Sequence, residues 1–135
     1  MLHRDVAPAN MLLSQSLQQL KVSDFGLCRY FNEGDSLTLR EAHKKYTAIE
    51  MMSDGDESRK RRKNYPFACD VYSWALCCYY ALTSSEDWTP QTHEVPSKLQ
   101  ERVITSVGST IAQLLELSIN EEPAKRPNAA NCEAI

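Results

Sequence analysis

The sequence predicts a mainly α-helical domain with one small β-hairpin at its N-terminal edge. Three observations carry that expectation. Val71 to Leu82 is apolar nearly all round a helix, the pattern of a buried central helix rather than a surface one. Leu99–Val107 and Ile111–Ile119 place apolar residues at helical spacing. Two short runs, Met11-Leu12-Leu13 and Leu20-Lys21-Val22, flank the polar turn Ser14 to Gln19 and read as paired strands.

Taken in order, residues 2–13 read as a polar loop leading to an apolar tip, and the hairpin ends at Asp24-Phe25-Gly26. From Leu27 to Tyr46 neither period persists, which predicts an extended, mobile loop. Residues 53–64 join an acidic block to a basic one. Such a run buries no apolar area and is expected to stay solvated as a surface insertion. Asp70 stands directly before the apolar run, at a position suited to a helix N-cap. The stretch 84–97, with prolines at 90 and 96, reads as loop. Pro123 and Pro127 bracket a turn before a final short helix.

With 135 residues the chain suffices for one domain with its own core. Its charged fraction of 24% and apolar fraction of 42% are ordinary for a globular protein. The net charge of −3 conceals an uneven distribution, because Arg59-Lys60-Arg61-Arg62-Lys63 holds a third of the basic residues. Elsewhere the chain is acidic, which argues against a broad nucleic-acid-binding face. The run itself is compatible with a nuclear-localisation or acidic-partner patch, though a solvated insertion is the favoured reading. Five cysteines without Cys-x-x-Cys spacing fit neither a disulfide framework nor a zinc site. Cys69, Cys77 and Cys78 lie in or beside the apolar stretch as small hydrophobes, consistent with a reducing, intracellular compartment. The N-terminus lacks the apolar core of a signal peptide. Val71 to Leu82 is too short to span a bilayer, which needs roughly 20 residues.

Three motifs follow one another: His3-Arg4-Asp5-Val6-Ala7-Pro8-Ala9-Asn10, then Asp24-Phe25-Gly26-Leu27, then Lys45-Tyr46-Thr47-Ala48-Ile49-Glu50. The first two set two carboxylates and a carboxamide on loops flanking the hairpin. Phosphoryl transfer asks a protein for a hydroxyl-proton acceptor, oxygen ligands for magnesium, and positioning. Asp5 is the candidate acceptor; Asn10 and Asp24 are candidate ligands for the hard cation. Gly26 is expected to supply backbone freedom where a loop must switch. As isolated residues, each of these is equally an ordinary turn former.

His-Arg-Asp with Asn five positions beyond the Asp, then Asp-Phe-Gly, resembles the signature pair of eukaryotic-type protein kinases. Lys45 to Glu50 is similar to the element closing the kinase activation segment, with Ile49 where Pro is usual. Asp70-Val71-Tyr72-Ser73-Trp74 resembles the start of the family's central helix, and Arg126-Pro127 its late Arg-Pro element. The resemblance implies a kinase-like C-lobe over residues 1–135: catalytic and metal-binding loops at 1–26, activation segment at 27–50, charged insertion at 53–64, helical core at 70–135. It implies ATP and magnesium held through Asn10 and Asp24, a structural role for His3, and Arg4 as partner for a phosphate on the activation segment. It also implies a Glu50–Arg126 ion pair and Asp70 bracing the catalytic-loop backbone. Ser36, Thr38 and Tyr46 are possible phosphorylation sites, with ordinary loop residues an equal reading. Lys-Tyr-Thr-Ala-Ile-Glu and Asp-Phe-Gly-Leu-Cys-Arg favour a tyrosine-kinase-like origin over a serine/threonine one.

Two departures qualify the expectation. The family carries a cation two or four residues after the catalytic Asp, where this chain has Ala7 and Ala9. Only Met1 and Leu2 precede His3, so the glycine-rich loop and ATP-contacting Lys of the family's other lobe are expected to be missing. The chain thus reads as a fragment that by itself binds ATP feebly. Two functions are carried forward. One is phosphoryl transfer to a protein hydroxyl by the complete domain. The other is a non-catalytic, pseudokinase-like lobe that docks a partner kinase or scaffold, with a functionless fragment as the remaining outcome.

Overall fold

A computed structural model describes residues 1–32, 43–88 and 95–128. Strands β1 (Met11–Leu13) and β2 (Leu20–Val22) pair antiparallel, with Met11 opposite Val22 and Leu13 opposite Leu20. Their turn is closed by Ser14 N donating to Gln19 O at 2.9 Å. Among the described residues four α-helices follow: α1 (Asp56–Asn64), α2 (Ala68–Thr83), α3 (Ser97–Val107) and α4 (Ser109–Ser118). Mainly helical with one hairpin, this is the architecture that the periodicity predicts. Ser36, Thr38, Cys132 and the final short helix lie outside the described residues.

The apolar helix α2 is central. It packs on α3, on α4 and on the 3₁₀ turn Pro123–Lys125. Tyr72, Ala75, Leu76 and Tyr79 face this core and are essentially inaccessible, whereas Trp74 and Tyr80 remain partly exposed. From the other elements Leu2, Val103 and Leu115 complete the same cluster. Gly108, at φ 82°, separates α3 from α4; an L side chain is strained in that backbone region, so the abrupt change of direction falls on a glycine.

Two expectations need correction. The first concerns the charged stretch, which is not wholly solvated. It forms α1, whose acidic first turn (Asp56, Glu57) and basic last turn (Arg61, Arg62, Lys63) match the helix dipole. A nine-residue helix is marginal alone, and α1 is held by contacts with the 3₁₀ turn Ile49–Met51. Arg62 is 2% exposed and donates to Glu50 O at 2.8 Å, Ser53 O at 2.5 Å and Asp54 Oδ1 at 2.6 Å. A guanidinium can be buried where carbonyl and carboxylate oxygens meet its donors. The second correction concerns Asp70, which is not an N-cap. α2 starts at Ala68, so Asp70 lies in its first turn and points its carboxylate at a different segment.

Candidate active site

Asp70 accepts from His3 N at 2.7 Å and from Arg4 N at 2.8 Å, so the first turn of α2 anchors the start of the loop that carries Asp5. Burial is the largest influence on this carboxyl and holds it above the ordinary carboxylate value, against the pull of those two amides. Leu2 and Arg29 exchange backbone hydrogen bonds at 2.8 and 2.9 Å, which ties this loop to the segment after Asp24-Phe25-Gly26. His3 Nε2 lies 3.1 Å from Ser23 O, and its ring meets Phe25 edge-on at 5.2 Å. Arg4 adopts φ 66°, a costly backbone for a non-glycine residue, and its Nε donates to Leu27 O at 2.7 Å.

Asn10 is fixed to Asp5. Its Nδ2 donates to Asp5 O at 2.8 Å and to Asp5 Oδ2 at 3.0 Å. The hairpin register then brings the second loop alongside: Ser23 N donates to Asn10 O at 2.8 Å, one pair beyond Met11 and Val22. Asp24 is the next residue, so the two short strands place the Asn10 and Asp24 loops side by side at the hairpin's base. Asp24 is exposed, adopts φ 60°, and accepts from Gly26 N at 3.1 Å. In this conformation Gly26 does not itself adopt the left-handed backbone. Left-handed backbone falls on Arg4 and Asp24 instead, while a Cβ at Gly26 would stand 3.1 Å from Asp24 Oδ1. What this glycine contributes is space for the Asp24 carboxylate.

The Asp5 carboxylate has a further partner that sequence reasoning missed. His43 donates its backbone N–H to Asp5 Oδ1 at 3.1 Å, and its ring Nδ1 lies 2.9 Å from the same oxygen. Burial raises the Asp5 carboxyl; the His43 side-chain and backbone hydrogen bonds, followed by Asn10, outweigh it, and the group titrates below the ordinary carboxylate value. No local signal pointed to His43, which lies 38 positions from Asp5 in an aperiodic stretch.

At the far end of the segment Arg126 meets Glu50 through two contacts, Nη1 to Oε1 at 2.6 Å and Nη2 to Oε2 at 2.9 Å. Both side chains are inaccessible. Arg126 also donates to Ala68 O and Asn120 O and lies over the Tyr72 ring. Tyr46 is buried beside Trp88, and its hydroxyl donates to Glu86 Oε1 at 2.5 Å. Burial first, then Glu86, raises that phenol far above its usual value. A hydroxyl so enclosed is poorly placed for modification. Trp88 Nε1 donates to Lys45 O at 2.8 Å, and Lys45 Nζ reaches Glu86 at 3.1 Å, so the segment's end is pinned to the stretch that follows α2.

A family model described as the protein kinase domain matches residues 1–134. The chain belongs to the protein kinase family. It is similar to serine/threonine-protein kinase STY17 of Arabidopsis thaliana, 27% identical over 96% of this chain and 22% of the relative. Serine/threonine-protein kinase B of Synechocystis is 30% identical over 87% of this chain and 21% of its own length. A membrane-associated tyrosine- and threonine-specific cdc2-inhibitory kinase of Caenorhabditis briggsae is 28% identical over 96% and 19%. The chain thus spans about a fifth of the length of these curated relatives. No helix among the described residues is long and apolar enough to cross a membrane.

Family membership implies ATP and magnesium in a complete kinase domain. The donor set fits a hard cation. Asn10 commits its amide nitrogen to Asp5, which leaves its side-chain carbonyl oxygen as its remaining donor atom, and Asp24 keeps Oδ2 clear of its bond to Gly26. Magnesium asks for only one or two protein oxygens when nucleotide phosphates supply others.

Proposed function

We propose that this chain is the catalytic-loop lobe of an ATP-dependent protein phosphotransferase, with Asp5 as proton acceptor and Asn10 and Asp24 as the magnesium-holding residues. The observation that carries the reading is the bond pair from Asn10 Nδ2 to the backbone and carboxylate of Asp5, set beside Asp24 by the hairpin register. A bound magnesium ion would neutralise charge on the phosphates. Asp5 orients the acceptor hydroxyl and takes its proton as the acceptor oxygen bonds the terminal phosphorus and the bond to the ADP oxygen breaks. Asn10 holds Asp5 in place, and Asp70 holds the loop behind it through His3 and Arg4. Arg4, already bonded to Leu27 in the segment after Asp24, is the residue we assign to a phosphate on the activation segment. The substrate is a protein hydroxyl. The run Lys45 to Glu50 favours a tyrosine-kinase-like branch, while the relatives named above include serine/threonine kinases.

Calorimetric titration with ATP, with and without magnesium, of the protein as its native transcript encodes it tests the reading. We expect magnesium-dependent binding that Asp24→Asn abolishes; binding indifferent to both magnesium and this substitution sinks it.

A second reading is a non-catalytic lobe that docks a partner kinase or scaffold. Ala7 and Ala9 bring no side-chain donor to Asp5, and Leu12, Leu13, Leu17 and Leu20 are each more than half exposed. Partner binding unaffected by Asp24→Asn, without nucleotide binding, favours this reading over the first.

A further inference from the structure

Asp5 offers about four lone-pair sites when ionised. The His43 backbone N–H donates to Oδ1, and the His43 ring Nδ1 lies 2.9 Å from the same oxygen and donates to it when that nitrogen carries the proton. One donor, Asn10 Nδ2, reaches Oδ2. The lone pairs of Oδ1 are then both engaged, and Oδ2 retains a free acceptor site. His43 belongs to the segment that precedes Tyr46, and the segment is itself fixed: Tyr46 N and Thr47 Oγ1 both donate to His43 O, at 2.8 and 3.1 Å. Within the loop of Asp5, Ala7 and Ala9 carry no polar side chain, so the side-chain contact to Oδ1 comes from outside that loop.

We propose that His43 is the positioning residue of this site. By occupying Asp5 Oδ1 it fixes the carboxylate rotamer and leaves Oδ2 as the atom that receives the acceptor hydroxyl. His43 supplies from the activation segment the side-chain restraint that Ala7 and Ala9 cannot supply from the catalytic loop. The Asp5 side chain is 10% exposed and that of His43 48% exposed, so of the two partners the histidine is the more open to solvent. A hydroxyl approaching Asp5 finds Oδ1 occupied by His43 and an acceptor site remaining on Oδ2 beside Asn10 Nδ2. The inference rests on the phosphotransferase reading above.

The test has two parts. In the first, ¹⁵N-histidine spectra of the chain are compared before and after Asp5→Asn. The ring-nitrogen signals of His43 should shift; unchanged His43 signals overturn the contact and the proposal with it. In the second, phosphate transfer from magnesium-ATP to a Glu/Tyr copolymer and to a basic Ser/Thr-rich protein is followed with the protein as its native transcript encodes it. His43→Ala should lower kcat by about 10- to 100-fold, the scale of misplacing a catalytic group, with KM for ATP unchanged. His43→Asn, whose amide can reach the place of the ring Nδ1, should restore most of the lost rate. Equal kcat in wild type and His43→Ala overturns the proposal, as does a KM rise without a kcat fall. Failure of the underlying reading looks different. In that case the wild type itself binds no ATP or transfers no phosphate, and a shifted His43 spectrum then reports a structural contact alone, which also ends the positioning claim.

Discussion

Arg126 makes four hydrogen bonds through three guanidinium nitrogens, two of them to the buried Glu50 carboxylate. An ion pair in such a place is a weak source of net stability, since desolvation offsets most of the attraction, yet removing one partner strands the other charge. Arg126→Met should therefore cost about 3–5 kcal/mol in urea denaturation. Adding Glu50→Gln should recover part of that loss, because a buried amide is cheaper to desolvate than a buried carboxylate. A double variant whose cost equals the sum of its singles would show the two residues acting independently. Arg62, equally buried, acts differently. It satisfies the carbonyls of Glu50 and Ser53, so it braces the backbone beside the ion pair rather than the charge in it.

Among the elements, α1 departs furthest from expectation, and its anchoring depends on pH. Arg59 first, then Arg62, hold the Asp54 carboxyl down to about 2. A depressed carboxyl stabilises the fold above its unfolded value near 3.8 and loses that contribution as pH falls through the folded value. The attachment of α1 should thus weaken between about pH 4 and pH 2. Amide exchange within Asp56–Asn64 reads this directly. Asp54→Asn should flatten the dependence across that window while Arg62 keeps its bonds to Glu50 O and Ser53 O. The hairpin depends on no such group. Its strands are short and their side chains mostly outward, and its importance lies in register, which sets Asn10 opposite Ser23 and hence Asp24 beside it.

At the scale of the molecule, α2 is both the core of the helical part and the platform for the active-site loop. Its apolar face packs α3 and α4, while Asp70 in its first turn receives the amides of His3 and Arg4. Loss of that carboxylate should disconnect the two functions. Asp70→Ala leaves two backbone donors unpaired, at about 1–3 kcal/mol each. Exchange at the His3 and Arg4 amides should accelerate well before the α2 amides respond. If both regions lose protection together, the loop and the helical core form one cooperative unit rather than a platform carrying a loop.

How much of this was legible beforehand differs by type of feature. The hairpin, the central helix and the two later helices follow from period and turn chemistry, which act over a few residues, and the structure places their ends within three residues of expectation. Asp5, Asn10 and Asp24 could be singled out because their spacing on two loops is itself sequence information. The Glu50–Arg126 and Asp70–loop contacts came from family resemblance, since no local pattern links partners 76 and 67 positions apart. His43 was missed because it is one histidine in an aperiodic segment. Arg62 was missed because its neighbours in a basic run look identical in sequence, and only helix phase decides which of them turns inward.

By itself, then, the sequence determined the helical architecture, the presence of the hairpin and the order of chemical groups along the chain, all consequences of short-range periodicity and spacing. The tertiary structure alone decided which charges are buried, that Asp70 serves a loop instead of a helix end, and that a histidine from the activation segment sits on Asp5. Those outcomes depend on which distant surfaces meet, and burial and hydrogen-bond geometry exist only once they have met.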